Sequence, residues 1–160
     1  DPRIKVVAAN YEEQANLLQQ IATDVNDIHV AVVRMRNIQK QLSGITERIE
    51  NKEAYKNVVT MADSISDLID TWEVALIQSK SESNDDVINF VNKLSANYIF
   101  LRGELDTNTP HVTAGQLLRF QELHQEWSTY KAAYEAILKS IKTLNVTCKT
   151  LQLAHVSLID

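Results

Sequence analysis

Residues 27–42 read Asp-Ile-His-Val-Ala-Val-Val-Arg-Met-Arg-Asn-Ile-Gln-Lys-Gln-Leu (DIHVAVVRMRNIQKQL), with a β-branched centre and two arginines around a methionine. Alternation over "IHVAVV" would suit a strand, and the arginines would suit a basic patch. The flanking sequence decides. Tyr11, Leu18, Val25 and Val32 are spaced by seven, as are Ile21, Ile28, Met35 and Leu42, offset by three or four. That is the a/d seam of a helix, and it runs through the stretch for more than four heptads. Leu17, Ala31 and Ile38 widen the apolar stripe, as expected for a bundle helix.

Working outward, Ile45 and Ile49 continue the pattern past Gly44, so a first helix is expected over about 7–50. After "ENKEAYK" (50–56), a second carries Val58, Ala62, Ile65, Ile69, Trp72 and Leu76, with Asp63, Ser66, Asp67, Asp70 and Glu73 on its polar face, over about 54–79. "QSKSESNDD" (78–86) is a loop in which Ser83 or Asn84 can cap a third helix at about 85–105, with Val87, Val91, Leu94, Tyr98, Leu101 and Leu105 on one face. Thr113 and Gln116 form a capping-box pattern for a fourth at about 114–156. There, Phe120, Trp127, Tyr134, Ile141, Cys148 and His155 interleave with Leu123, Tyr130, Ile137, Leu144, Leu151 and Leu158. Four such segments with short connections predict an all-α, antiparallel up-and-down four-helix bundle with long first and last helices, one domain over 1–160.

Composition agrees. Three Gly and two Pro in 160 residues are too few turn formers for a many-stranded sandwich. A net charge of −5 disfavours nucleic-acid binding, which needs concentrated Lys and Arg. No run of eighteen apolar residues exists to span a membrane. One cysteine, Cys148, permits neither an internal disulfide nor a thiolate metal site, and reads as a small buried hydrophobe. The start at Asp1-Pro2-Arg3, without Met, reads as a point inside a longer protein.

Chemistry-bearing patterns are sparse. Asn26, Asn108, Gln121 and Gln152 stand three residues before the four histidines, so the Glu-x-x-His pairs of a di-iron bundle are missing, as are zinc-type His spacings. No catalytic set, cofactor site or metal site is expected, and the chain reads as no enzyme. His29 flanks the seam and reads as a helix-flank histidine hydrogen-bonded to a neighbouring helix or to water, with a ligand contact or pH-sensitive switch as the functional alternative, and His124 reads as facing solvent. Arg34 and Arg36 diverge by about 200° around a helix, so each is expected to pair with acidic side chains of a neighbouring helix, fixing register. Trp72, Trp127, Tyr130 and Tyr134 read as packing residues, and Asn145-Val146-Thr147 as a sequon inside a helix.

"DPRI" at 1–4, "IHVAVVRMRNIQKQL" at 28–42, "INFVNKLSANYIFLRGELD" at 88–106 and "TAGQLLRFQELHQEW" at 113–127 resemble the C-terminal helical region of large bacterial exported proteins with BNR-type, sortilin-like β-propellers, often labelled glycosyl-hydrolase-like. His29, Ala31, Val32, Arg34, Gln41, Leu42, Asn92, Lys93, Leu94, Gly103, Asp106, Pro110 and Thr113 would hold that pattern. The resemblance implies an accessory or protein-interaction module, periplasmic or secreted, docked on the preceding β-domain or propeller and open to self-association. Hydrolytic chemistry would belong to the propellers. His29, Arg34, Asn92 and Lys93 become the residues expected to make interhelix polar contacts. An apolar patch is expected near Asp1–Val7 and a helix end, where the β-domain would dock. The alternative is an exported four-helix sensor domain binding a small ligand between helices, through Arg34, His29 and Asn92.

Overall fold

A computed structural model of the chain describes residues 6–78, 91–107, 110–151 and 153. These form four helices and, among the described residues, no strand: α1 (Ala8–Arg48), α2 (Lys56–Leu76), α3 (Leu94–Leu105) and α4 (Ala114–Thr150). The helices pack on one another as an all-α four-helix bundle, with the first and last the longest. Within 1–160 they sort into two compact units: Asp1–His29 with Ala75–Thr129, and Val30–Val74 with Tyr130–Asp160. Each unit takes one segment of α1 and one of α4.

The α1 seam differs from the expected one in one of its two series. Ile21, Ile28, Met35 and Leu42 are buried as expected. The companion series is Leu17, Asp24, Ala31, Ile38 and Ile45, all buried; of the expected one Val32 is buried, whereas Tyr11 is 56% exposed and Leu18 and Val25 are half-buried. A reading that seeks apolar residues slips from Asp24 to its neighbour Val25, because a carboxylate at a seam position looks like an interruption.

α1 passes through Gly44 without stopping. Arg48 folds back to donate its Nε to the Gly44 carbonyl at 2.6 Å, and a Cβ at residue 44 would meet the Arg48 guanidinium at 3.1 Å. The glycine thus makes room for a side chain that adds a bond to a carbonyl in the last turns of α1. Asn51 Oδ1 accepts from the Ala54 amide at 3.0 Å, and this Asx-type turn leads into α2.

In the first unit, Leu17, Ile21 and Ile28 of α1 are buried together with Leu94, Tyr98, Leu101 and Leu105 of α3 and Phe120, Leu123 and Trp127 of α4. Each such side chain removed from water contributes about 1.5–3 kcal/mol before chain entropy is counted. Gln14 Nε2 donates to the Leu105 and Thr107 carbonyls, the latter at 3.1 Å, satisfying the end of α3. The capping box is formed: Thr113 Oγ1 accepts from the Gln116 amide at 3.2 Å, and Gln116 Oε1 accepts from the Thr113 amide at 2.9 Å.

In the second unit, buried Met35, Ile38 and Leu42 of α1 accompany Val58, Ile65 and Ile69 of α2 and Ile137, Ile141 and Leu144 of α4. Cys148 is fully buried, as its seam position implies. Trp72 Nε1 donates to the Tyr130 carbonyl at 2.9 Å, and its ring lies 5.7 Å from that of Tyr134.

Chain direction follows from the cross-helix pairs. Gln14 meets Leu105 while His29 meets Ser95, so α3 runs against α1; Arg36 meets Glu73 while Gln39 meets Asp70, so α2 also runs against α1. In the first unit Gln116 meets Glu104 while Phe120 meets Tyr98, so α4 runs against α3 and parallel to α1 there. Helices joined directly in sequence, α1–α2 and α3–α4, are therefore antiparallel. Strict alternation would set the fourth helix against the first, and that detail of the expectation is corrected. Only a tight turn forces reversal, and residues 77–93 separate α2 from α3.

The third helix is shorter than expected: residues 91–93 are not helical and Val91 is 84% exposed. The expected positions at 85–90, the caps Ser83 and Asn84, and His155 and Leu158 lie outside the described residues. Leu151, expected in the fourth-helix seam, is in a turn and 42% exposed.

Candidate functional site

The most constrained polar group belongs to the first unit. Asp24 is 5% exposed, and its Oδ2 accepts two hydrogen bonds, from the Tyr98 hydroxyl at 2.8 Å and from His124 Nδ1 at 2.7 Å. One oxygen thus ties α1 to α3 and to α4. A buried carboxylate is tolerable only with such donors. Tyr98 is fully buried, and burial first, then the Asp24 carboxylate that it serves, push its hydroxyl well above the ordinary tyrosine range. The His124 ring stacks on Phe120 at 5.6 Å, and Phe120 meets Tyr98 edge-on at 6.5 Å. His124 keeps 54% of its side chain exposed, so the solvent-facing expectation describes only half of it.

This cluster was not read from the sequence, although a signal existed: Asp24 stands at the 17–21–24–28–31 spacing of a buried stripe. Chemically the arrangement saturates one carboxylate with donors from two other helices. That is the behaviour of a register lock.

The second unit holds a parallel device. Arg36 donates from Nε at 3.0 Å and from Nη2 at 2.7 Å to Glu73 Oε1, whose side chain is 9% exposed. The hydrogen bond to Glu73, helped by its charge, raises the Arg36 guanidinium above its ordinary value against the opposing effect of burial. Pairing of an α1 arginine with an acid of the second helix is as expected, but Glu73, assigned to the polar face, is buried. Gln39 reaches Asp70 Oδ1 at 2.7 Å and the Ser66 carbonyl at 3.3 Å.

The four residues expected to make interhelix contacts divide. His29 Nε2 lies 3.1 Å from Ser95 Oγ, joining α1 to α3. Arg34 Nη1 donates to the Tyr134 hydroxyl at 3.1 Å, on α4 and not to an acid. Asn92 and Lys93 act through backbone carbonyls at the start of α3, which accept from Asn97 Nδ2 at 3.4 Å and from the Asn97 amide at 3.0 Å. Each of the four is taken up by a different partner atom, and the contacts of Asn92 and Lys93 are made by their backbone.

A shallow groove of about 380 Å³ runs along the first turns of α1 and the start of α4, lined by Ala9, Glu12, Glu13, Asn16, Leu17, Gln20, Val112 and Leu117. Val7 and Tyr11, beside it in sequence, are 59% and 56% exposed. Among the described residues, no three His, Cys, Asp or Glu side chains gather to hold a metal ion, and no helix is long and apolar enough to cross a membrane.

No protein-family model, curated protein or solved structure matches this chain, so nothing in these comparisons links it to the β-propeller proteins that its motifs resemble.

Proposed function

We propose that this chain is a non-catalytic scaffold or interaction module, carried at the C-terminus of an exported protein of the BNR, sortilin-like β-propeller class and docked on the domain before it. The observation that carries this reading is the apolar surface at the start of α1. Val7 and Tyr11 are exposed beside a groove whose lining pairs Ala9, Leu17, Val112 and Leu117 with Glu12, Glu13, Asn16 and Gln20, where an adjoining domain was expected to sit. The motifs at 28–42, 88–106 and 113–127 support the class of parent. On this reading the location is periplasmic or extracellular, and any hydrolysis is the work of the propellers.

A small-ligand sensor has less in its favour, because the side chains of His29 and Arg34 are each engaged by a separate partner. A thermal-shift screen against small carboxylic acids and sugars tests the choice. The module reading expects no shift across the panel. A rise of several degrees with one compound, abolished by Arg34→Ala, would replace it with the sensor reading.

A further inference from the structure

Helix α3 is apolar on two opposite faces. Leu94, Tyr98, Leu101 and Leu105 are buried in the first unit. Ala96, Ile99, Phe100 and Gly103 form a second stripe, within an arc of about 100° on the other side at 100° per residue. Ile99 is 55% and Phe100 67% exposed. A helix apolar on both sides belongs between two neighbours, and the first unit supplies one of them.

Gly103 adds an independent sign. Glycine weakens a helix relative to alanine, yet a Cβ at this position would meet nothing within 4 Å. Packing among the described residues gives no reason for the missing side chain. One turn from Phe100 on the same face, the gap is a notch into which a facing helix can settle.

The flanks identify what faces it. Arg102 and Glu104 fall on opposite edges of the stripe, about 90–110° from its centre. A twofold axis parallel to α3 brings the Arg102 edge of one copy against the Glu104 edge of the other, on both rims at once. We propose that the outer face of α3 is a self-association surface, on which a second copy of this chain packs its own α3 in parallel. The pairing stands on these residues and not on the class of parent protein.

Sedimentation velocity from low to high micromolar concentration tests it. The expected result is a concentration-dependent dimer. Phe100→Glu abolishes it while leaving the helical circular dichroism and the melting temperature of the dilute protein intact. Gly103→Ala raises the melting temperature of the dilute protein but weakens the dimer. Arg102→Glu weakens association about tenfold, as expected for losing two exposed ion pairs, and the swap Arg102→Glu with Glu104→Arg restores it. A monomer at every concentration, a dimer indifferent to Phe100→Glu, or a swap that fails to restore pairing would overturn the proposal.

Discussion

Tyr98 and Asp24, 74 residues apart in sequence, share a hydrogen bond of 2.8 Å in the interior of the first unit. The hydroxyl has no route to water, since Tyr98 is fully buried, and among the described residues the Asp24 carboxylate takes its other hydrogen bond from His124. Polar groups so placed contribute less to net stability than to the choice of one helix register over its neighbours.

Tyr98→Phe should therefore destabilise the protein by about 1–3 kcal/mol, because it removes a donor from a buried carboxylate. Urea titration checks this. Asp24→Leu combined with Tyr98→Phe should recover much of the loss, since an apolar pair strands no polar atom.

Alkaline pH should weaken the fold through Tyr98. Its folded-state value lies above the ordinary 10.0, so the unfolded chain gives up the proton first. The associated stability is present below pH 10.0 and declines as pH rises above it. Cys148, raised by burial from 9.0, adds a decline of the same sign that begins lower. Denaturation measured from pH 8 to 11 should show the slope, with Cys148→Ala removing its earlier part and Tyr98→Phe its later part.

Arg36→Ala should cost about 1–3 kcal/mol by leaving the Glu73 carboxylate buried without its partner. Glu73→Gln, which keeps an acceptor for the guanidinium, should cost less. Thermal unfolding of the two variants orders them. Equal losses would assign the cost to the charge pair itself, since Glu73→Gln leaves the arginine stem in place.

Cys148 has no exposed surface, and its thiol is held protonated by burial. Modification by a disulfide reagent should be slow in the folded protein and become rapid in denaturant. Reaction at the same rate in both conditions would contradict the packing described for the C-terminal half of α4.

Helix identity was legible in the sequence because apolar spacing reports which side of a helix loses water. It served well for Ile21, Ile28 and Met35, and for Phe120, Leu123 and Trp127. It failed where burial was polar: the carboxylates of Asp24 and Glu73 are inside with donors that come from residues 37 to 100 positions away, and of those donors Tyr98 is buried while His124 and Arg36 are half exposed. No local pattern encodes such a partner. Direction was legible for helices joined in sequence, while the 17 residues of 77–93 left α3 free of a hairpin constraint. Of the four expected contact residues, His29 and Arg34 do bridge helices through their side chains, whereas Asn92 and Lys93 serve with their carbonyls.

The coding sequence upstream of Asp1 is the measurement closest to the proposed function. An accessory module of an exported propeller protein requires an export signal followed by Asp-box propeller repeats and a small β-domain leading into Asp1-Pro2-Arg3. An upstream membrane-spanning segment without propeller repeats, or a start codon immediately before Asp1, would contradict it.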